Sequence, residues 1–196
     1  MVKELEVVKE LGYSKQLTFA YLTCERLYPN YVYFSKHFHF GEPGTLRIII
    51  DFIYEVLLSN PYNQDQIQKY LAELEPNFPA PENFNTILAS SSLDVCMAIA
   101  ETLNFIADKK FQRILDISTF ATDSVDMYVQ ELENLDYNLD PDFEVKIQSH
   151  LLMQQELKVQ AGIISYLSTL DTIDKEDINT LVELQQSNKG NLHLKN

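Results

Sequence analysis

Seven prolines, at positions 29, 43, 61, 76, 79, 81 and 141, divide the chain into segments whose apolar residues recur every three to four positions. Proline offers no backbone N–H and resists the interior of helices and central strands, so it marks where elements can stop. The spacing between these marks follows a helical period far more often than strict alternation. Only five glycines are present, and both turn-rich β folds and Gly-rich phosphate loops need more. The chain therefore reads as all-α: one domain of about seven to nine helices over residues 1–190, with a possible subdivision near 76–81 and a frayed tail at 191–196. At 196 residues it is long enough to bury a full core without a disulfide or metal staple.

Val2 to Leu11 reads as a short first helix closed by Gly12, and Ser14 as the cap of a second with Leu17, Ala20, Tyr21, Cys24 and Leu27 on its apolar face. Pro29 is expected to break that second helix before a last turn or two through Phe38. Leu46 to Leu58 carries only Arg47, Asp51 and Glu55 as polar residues and is expected to be a helix buried almost all round. Gln64 to Leu74 is amphipathic and leads into the proline-rich connection 76–81. Ser91 or Ser92 is placed as the cap of a helix through Ala107, followed by one from Lys109 to Leu135. Asp140 and Pro141 then mark the start of a long helix reaching Leu170, about 43 Å, with Gly162 as a kink or close crossing. A final helix runs from Lys175 to Gln186, with Asp174 and Asp177 spaced as a capping box, and the tail loosens from Ser187.

Fifteen Lys and Arg against twenty-nine Asp and Glu leave a net charge of −14, which argues against nucleic acid and anionic membrane surfaces as partners. Nine of the acids lie between Ile114 and Val145, where there is no Lys or Arg. Asp116, Asp123, Asp126, Glu131 and Glu133 form the candidate interaction face there: either a solvated helix surface or a docking site for a basic partner. No apolar run is long enough to span a bilayer, and the start of the chain lacks the pattern of a signal peptide, so a soluble cytoplasmic protein is expected. Cys24 and Cys96 belong to no Cys-x-x-Cys pair and read as buried free thiols.

The common catalytic signatures are missing. No His has Glu three residues before it, as di-iron bundles require, and the His-Glu-x-x-His, Gly-Lys-Ser/Thr and Gly-x-Ser-x-Gly motifs do not occur. Asp136, Asn138, Asp140, Asp142 and Glu144 imitate a calcium loop, but Pro141 stands where the template needs glycine and Ile147 where it needs a bidentate Glu. His37 and His39 lie on opposite sides of any helix and read as packing residues. No metal or cofactor is expected. What remains is Arg47, Asp51 and Glu55, stacked on one helix face over about 12 Å. Ionised groups on a buried helix need partners, and Arg26 is the expected partner of Glu55. The row is either a polar network that fixes helix register or a pocket in which Asp51 or Glu55 handles a proton.

Thr18-Phe19, the string Cys24-Glu25-Arg26-Leu27-Tyr28-Pro29-Asn30-Tyr31, and the row Arg47, Asp51, Glu55 together resemble the YjaG-like family of small bacterial proteins, catalogued as domain of unknown function 416. Leu93-Asp94-Val95-Cys96, with Glu101 following, is similar to the Asp-x-Cys element and later Glu of that family's middle helix. This chain departs from the pattern at Tyr54, where Trp commonly precedes the Glu, and at His37-Phe38-His39. The resemblance implies a small all-α domain of the bacterial cytoplasm and carries no activity with it. Two functions stay open. One is a non-enzymatic interaction or scaffold module that meets a basic partner on its acidic face or pairs with a second copy. The other is a small-ligand site or enzyme built on Glu25, Arg26, Tyr28, Asn30, Tyr31, Arg47, Asp51, Glu55, Asp94 and Glu101, with the two arginines clamping an anion.

Overall fold

The structure, a computed structural model, describes residues 7–186 and 190–194. Among them there are helices and turns and no strand. Residues 7–10 are helical; the part of the expected first helix before them, like residues 187–189 and 195–196 of the tail, lies outside the described residues. Then come α1 (Tyr13–Phe38), α2 (Pro43–Leu57), α3 (Gln64–Leu74), two 3-10 turns (Glu75–Asn77 and Pro81–Asn83), α4 (Leu88–Asp108), α5 (Gln112–Leu132), α6 (Phe143–Ser149), α7 (Leu151–Thr169) and α8 (Lys175–Gln186).

The centre of the bundle is α4, which packs most extensively on α5 and α1 and also touches α2 and α3. Its inner surface is rich in small buried residues, among them Ala89, Ser91, Ser92, Ala98 and Ala100, and short side chains let neighbouring helices approach closely. The main core joins Leu17, Phe19, Leu27 and Tyr31 of α1 to Ile49, Ile50 and Ile53 of α2, Ile99 and Leu103 of α4, and Ile163, Leu167 and Leu181 of α7 and α8. A second, smaller core of Val125, Val129, Phe143, Ile147, Met153 and Leu192 lies between the end of α5, α6 and the C-terminal segment.

Several boundaries have a local chemical cause. The Asn63 side chain caps α3 and the Gln66 side chain returns the bond to the Asn63 N–H, a full capping box. Asp174 and Asp177 do the same for α8, with reciprocal bonds of 3.0 and 3.1 Å. α2 starts at Pro43, three residues before the expected Leu46, and Pro43 stands in its first turn, where a missing N–H costs nothing.

Others differ. Pro29 does not end α1, which continues to Phe38 and is closed by His39 in the left-handed region. Pro29 merely withholds an N–H from the Glu25 carbonyl, and packing on both sides outweighs the loss of one bond. Gly12 is extended and N-caps α1, so it is not a left-handed stop, and Ser14 is not the cap. Ser91 and Ser92 lie inside α4, buried, while α4 begins at Leu88. α2 is buried along one side only, for Ile48 is 58% exposed and Asp51 and Glu55 are also exposed.

The long helix expected from Asp140 to Leu170 is two helices, because His150 adopts an extended backbone and its Nδ1 accepts from the Leu152 N–H to cap α7. In the described part of the tail, Asn191 and Leu192 are buried. No helix among the described residues is long and apolar enough to cross a membrane.

Candidate functional site

The Glu25-to-Tyr31 string occupies the middle of α1, and successive residues on a helix step round its axis by about 100°. Because α1 is surrounded, the side chains of the string reach several different neighbours. Arg26 is 3% exposed; its Nε and Nη2 donate to the two oxygens of Glu156 on α7 at 3.0 and 2.8 Å, and its Nη1 donates to Gln185 on α8 at 2.7 Å. Gln160, one turn beyond Glu156, donates to it at 2.8 Å and accepts from Ser118 of α5. The Tyr28 hydroxyl donates to the Pro43 carbonyl at the start of α2. Asn30 donates to Asn191, whose own amide donates to the Ala121 carbonyl of α5. The Tyr31 hydroxyl donates to the carbonyl of Asn77 in the first 3-10 turn, and the Cys96 thiol of α4 bonds the same carbonyl.

Glu25 faces α2. Arg47 clamps it with both terminal nitrogens, at 2.8 and 2.7 Å, and its second nitrogen also meets Asp51 at 2.8 Å. The Tyr21 hydroxyl donates to Glu25 at 2.7 Å, and burial together with that carboxylate holds the phenol well above its ordinary pKa. The Arg47 guanidinium also lies 5.4 Å from the centre of the Tyr28 ring.

The expected row on α2 is thus real in its first pair only. Glu55 does not meet Arg26, whose donors are taken by α7 and α8; it is exposed and accepts from the Asn60 amide. Asp51 has a side chain 64% exposed. Arg47, Asp51 and Glu55 therefore line the edge of α2 and do not converge on a pocket.

On α4, Glu101 pairs with Arg113 at 2.5 Å, and Arg113 also holds Asp108, so this acid ties the α4–α5 turn. Asp94 is different. It accepts from the buried Ser124 hydroxyl at 2.9 Å and has no cation beside it among the described residues; burial, reinforced by the nearby Asp123, pushes its carboxyl up to about 7. The thiols behave as expected: both are buried and free, and burial raises Cys24 to about 12.

The acidic residues of α5 do not gather on one stripe. Asp116, Asp123, Asp126 and Glu131 spread over about 140° of its circumference. Several are engaged: Asp116 and Asp126 by Gln112 and Gln130 one turn away, Glu131 by the Ile87 N–H at the start of α4, with His150 3.6 Å from Glu133. The calcium-like run serves its own turns, with Asp136 accepting from the Asn138 N–H and Asp140 from Asp136 and Lys146. Among the described residues no three His, Cys, Asp or Glu side chains are grouped to hold a metal ion. His37 stacks on Tyr33 at 3.9 Å between ring centres.

The corner between α5 and α7 carries a feature that charge alone does not announce. Tyr137 is 72% exposed, Leu139 79%, Val145 66% and Leu151 68%, and Leu132 is 54% exposed. A cleft of about 540 Å³ runs along 137–145, and a second of about 380 Å³ beside Gln148 and Gln154 shares Glu144 and Val145 with it.

Sequence reasoning missed Glu156, Gln160, Gln185 and Asn191, the partners that complete the α1 network. A signal existed: Met153, Glu156, Gln160, Ile163 and Leu167 share one helical stripe and are all buried, which puts two polar residues in core register.

An all-α bundle whose charged motif joins helices to one another defines a class by architecture and not by a reaction. A model of a protein family of unknown function, DUF416, matches residues 3–195, and the chain belongs to that family. It is 24% identical over 180 residues to proteins called uncharacterized protein YjaG in Salmonella typhimurium, covering 91% of this chain and 89% of the relative, and likewise in Escherichia coli. An uncharacterized protein of Haemophilus influenzae is 24% identical over 173 residues, covering 87% of this chain and 84% of its own. The crystal structure of a DUF416 family protein from Shewanella baltica shares the fold, with a TM-score of 0.86 at 24% identity over 96% of both chains.

Proposed function

We propose that this chain is a non-enzymatic interaction module that docks a protein partner at the corner formed by the end of α5, the connection to α6, α6 itself and the start of α7. The observation that carries the reading is that three large apolar side chains, Tyr137, Leu139 and Val145, each 66–79% exposed, line two adjoining open clefts at that corner. The interaction surface thus sits at one end of α5 and includes Glu131 and Glu133, whereas Asp116 and Asp123 lie further along the helix. A small-ligand or catalytic role for the motif on α1 and α2 has less support, because Arg26 and Arg47 are already bonded to Glu156, Glu25 and Asp51. Two buried free thiols suit a reducing compartment, and the proposal places the module in the cytoplasm.

The test is a photo-crosslinking amino acid placed at Leu139 in the full chain and, as a control, at Ile48, another solvent-facing apolar position, on α2. Discrete adducts in living cells from position 139 and none from 48 are expected. Equal labelling from both positions removes the reading.

A further inference from the structure

We infer that the occupant of this corner is a cationic amphipathic helix of another protein, an inference that rests on the docking role proposed above. Three observations select it. First, the patch combines apolar surface with one sign of charge. From Glu131 to Val145 there are six acidic residues and no Lys or Arg. The first base beyond, Lys146, is bonded to Asp140, which leaves Glu133, Asp142 and Glu144 without a Lys or Arg partner among the described residues. Apolar anchors ringed by acids fit leucine-like side chains flanked by lysine or arginine.

Second, a copy of this chain is the wrong occupant. In a two-fold pairing the same acids would face each other, and each copy brings a net charge of −14. Third, the described residues offer no strand edge, so an extended peptide has no ladder to join. Helix-in-groove docking needs no strand edge, and two hollows sharing Val145 and Glu144 as a common wall present it with two places for apolar anchors.

The experiment measures fluorescence anisotropy of a labelled amphipathic peptide of Leu and Lys against the full-length protein, beside a twin with Gln at every Lys. The double variant Leu139→Asp/Val145→Asp is the informative one. It adds two negative charges while removing both anchors, so attraction by charge alone predicts tighter binding and anchored docking predicts weaker binding. A loss of at least about tenfold is expected, together with weakening of wild-type binding when salt rises from about 50 to about 300 mM. Since both positions are more than half exposed, the variant should retain the wild-type circular dichroism. Glu133→Lys/Glu144→Lys, tested in parallel, should also weaken binding.

Binding unchanged or strengthened in the aspartate variant overturns both the inference and the docking surface. The Gln twin binding as tightly as the Lys peptide overturns the cationic partner while leaving the surface in place. Failure of wild-type protein to bind the Lys peptide overturns the inference outright.

Discussion

Burying a guanidinium is costly unless its donors meet acceptors, and Arg26 meets that demand with Glu156 and Gln185 from two other helices. Arg26→Met leaves Glu156 buried and without its cation. The unfolding free energy measured in urea should fall by about 3–5 kcal/mol. Asp51→Ala removes a partner whose side chain is 64% exposed, and should cost under about 0.5 kcal/mol. Similar losses for the two variants contradict the assignment of Arg26 as the internal anchor.

Asp94 gives a pH dependence of definite sign. Its carboxyl is raised from 3.8 to about 7 in the folded state, so between those values the folded protein holds a proton that the unfolded chain has released. Stability therefore falls as pH rises through that window, and the penalty is complete above about 7. Asp94→Asn keeps an acceptor for Ser124 and removes the charge. Urea unfolding should show it more stable than wild type by about 1–3 kcal/mol at pH 8, and indistinguishable near pH 4. A variant no more stable at pH 8 means that the carboxylate is better solvated than its position indicates.

At the level of elements, the C-terminal segment is tied to α1 and α5 through Asn191, which bonds Asn30 and the Ala121 carbonyl. Gly190 has φ +82°, and a Cβ there would come within 2.5 Å of the Asn30 side-chain oxygen and 3.3 Å of Pro29. Gly190→Ala should cost about 1–3 kcal/mol and, in hydrogen exchange, expose amides of 190–194 before those of α4. Uniform exchange across both regions would show the segment is not a separate unit.

The same segment shows where local reading stops. Gln64–Leu74 was legible from its amphipathic period and Lys175–Gln186 from the spacing of Asp174 and Asp177, both local signals. Pro29 misled because its effect depends on what surrounds α1, and the split at His150 rests on a histidine acting as a cap, a role usually filled by Ser, Thr, Asp or Asn. In the candidate site, Glu25, Arg26, Arg47 and Asp51 could be named as ionic residues needing partners. Asp51 lies one turn from Arg47, and Glu25 is 22 residues from it, but Arg26 takes partners 130 and 159 residues away, and no spacing rule reaches that far.

The molecule as a whole is strongly anionic, and its acids outnumber the internal pairs that could neutralise them. Self-repulsion of this kind destabilises the compact state and is screened by salt. Raising NaCl from about 0.05 to about 0.5 M at neutral pH should therefore raise the thermal midpoint. A fall would mean that exposed pairs such as Arg47–Asp51 contribute more than the net field removes. The all-α class, the acidity and the family resemblance were all legible from the chain, since each is a bulk or motif property. The apolar corner was not, because Leu139 and Val145 look like ordinary core residues until the turn at 133–142 turns them outward.

Arg26 takes its partners 130 and 159 positions further along the chain, and Asn30 its partner 161 positions further. For a polypeptide made from its N-terminus, Arg26 lacks its carboxylate until residue 156 has been synthesised, and Asn30 lacks its partner until residue 191 has. The earliest long helix to emerge is thus among the last to be sealed, and until then its guanidinium and amide are dressed by water.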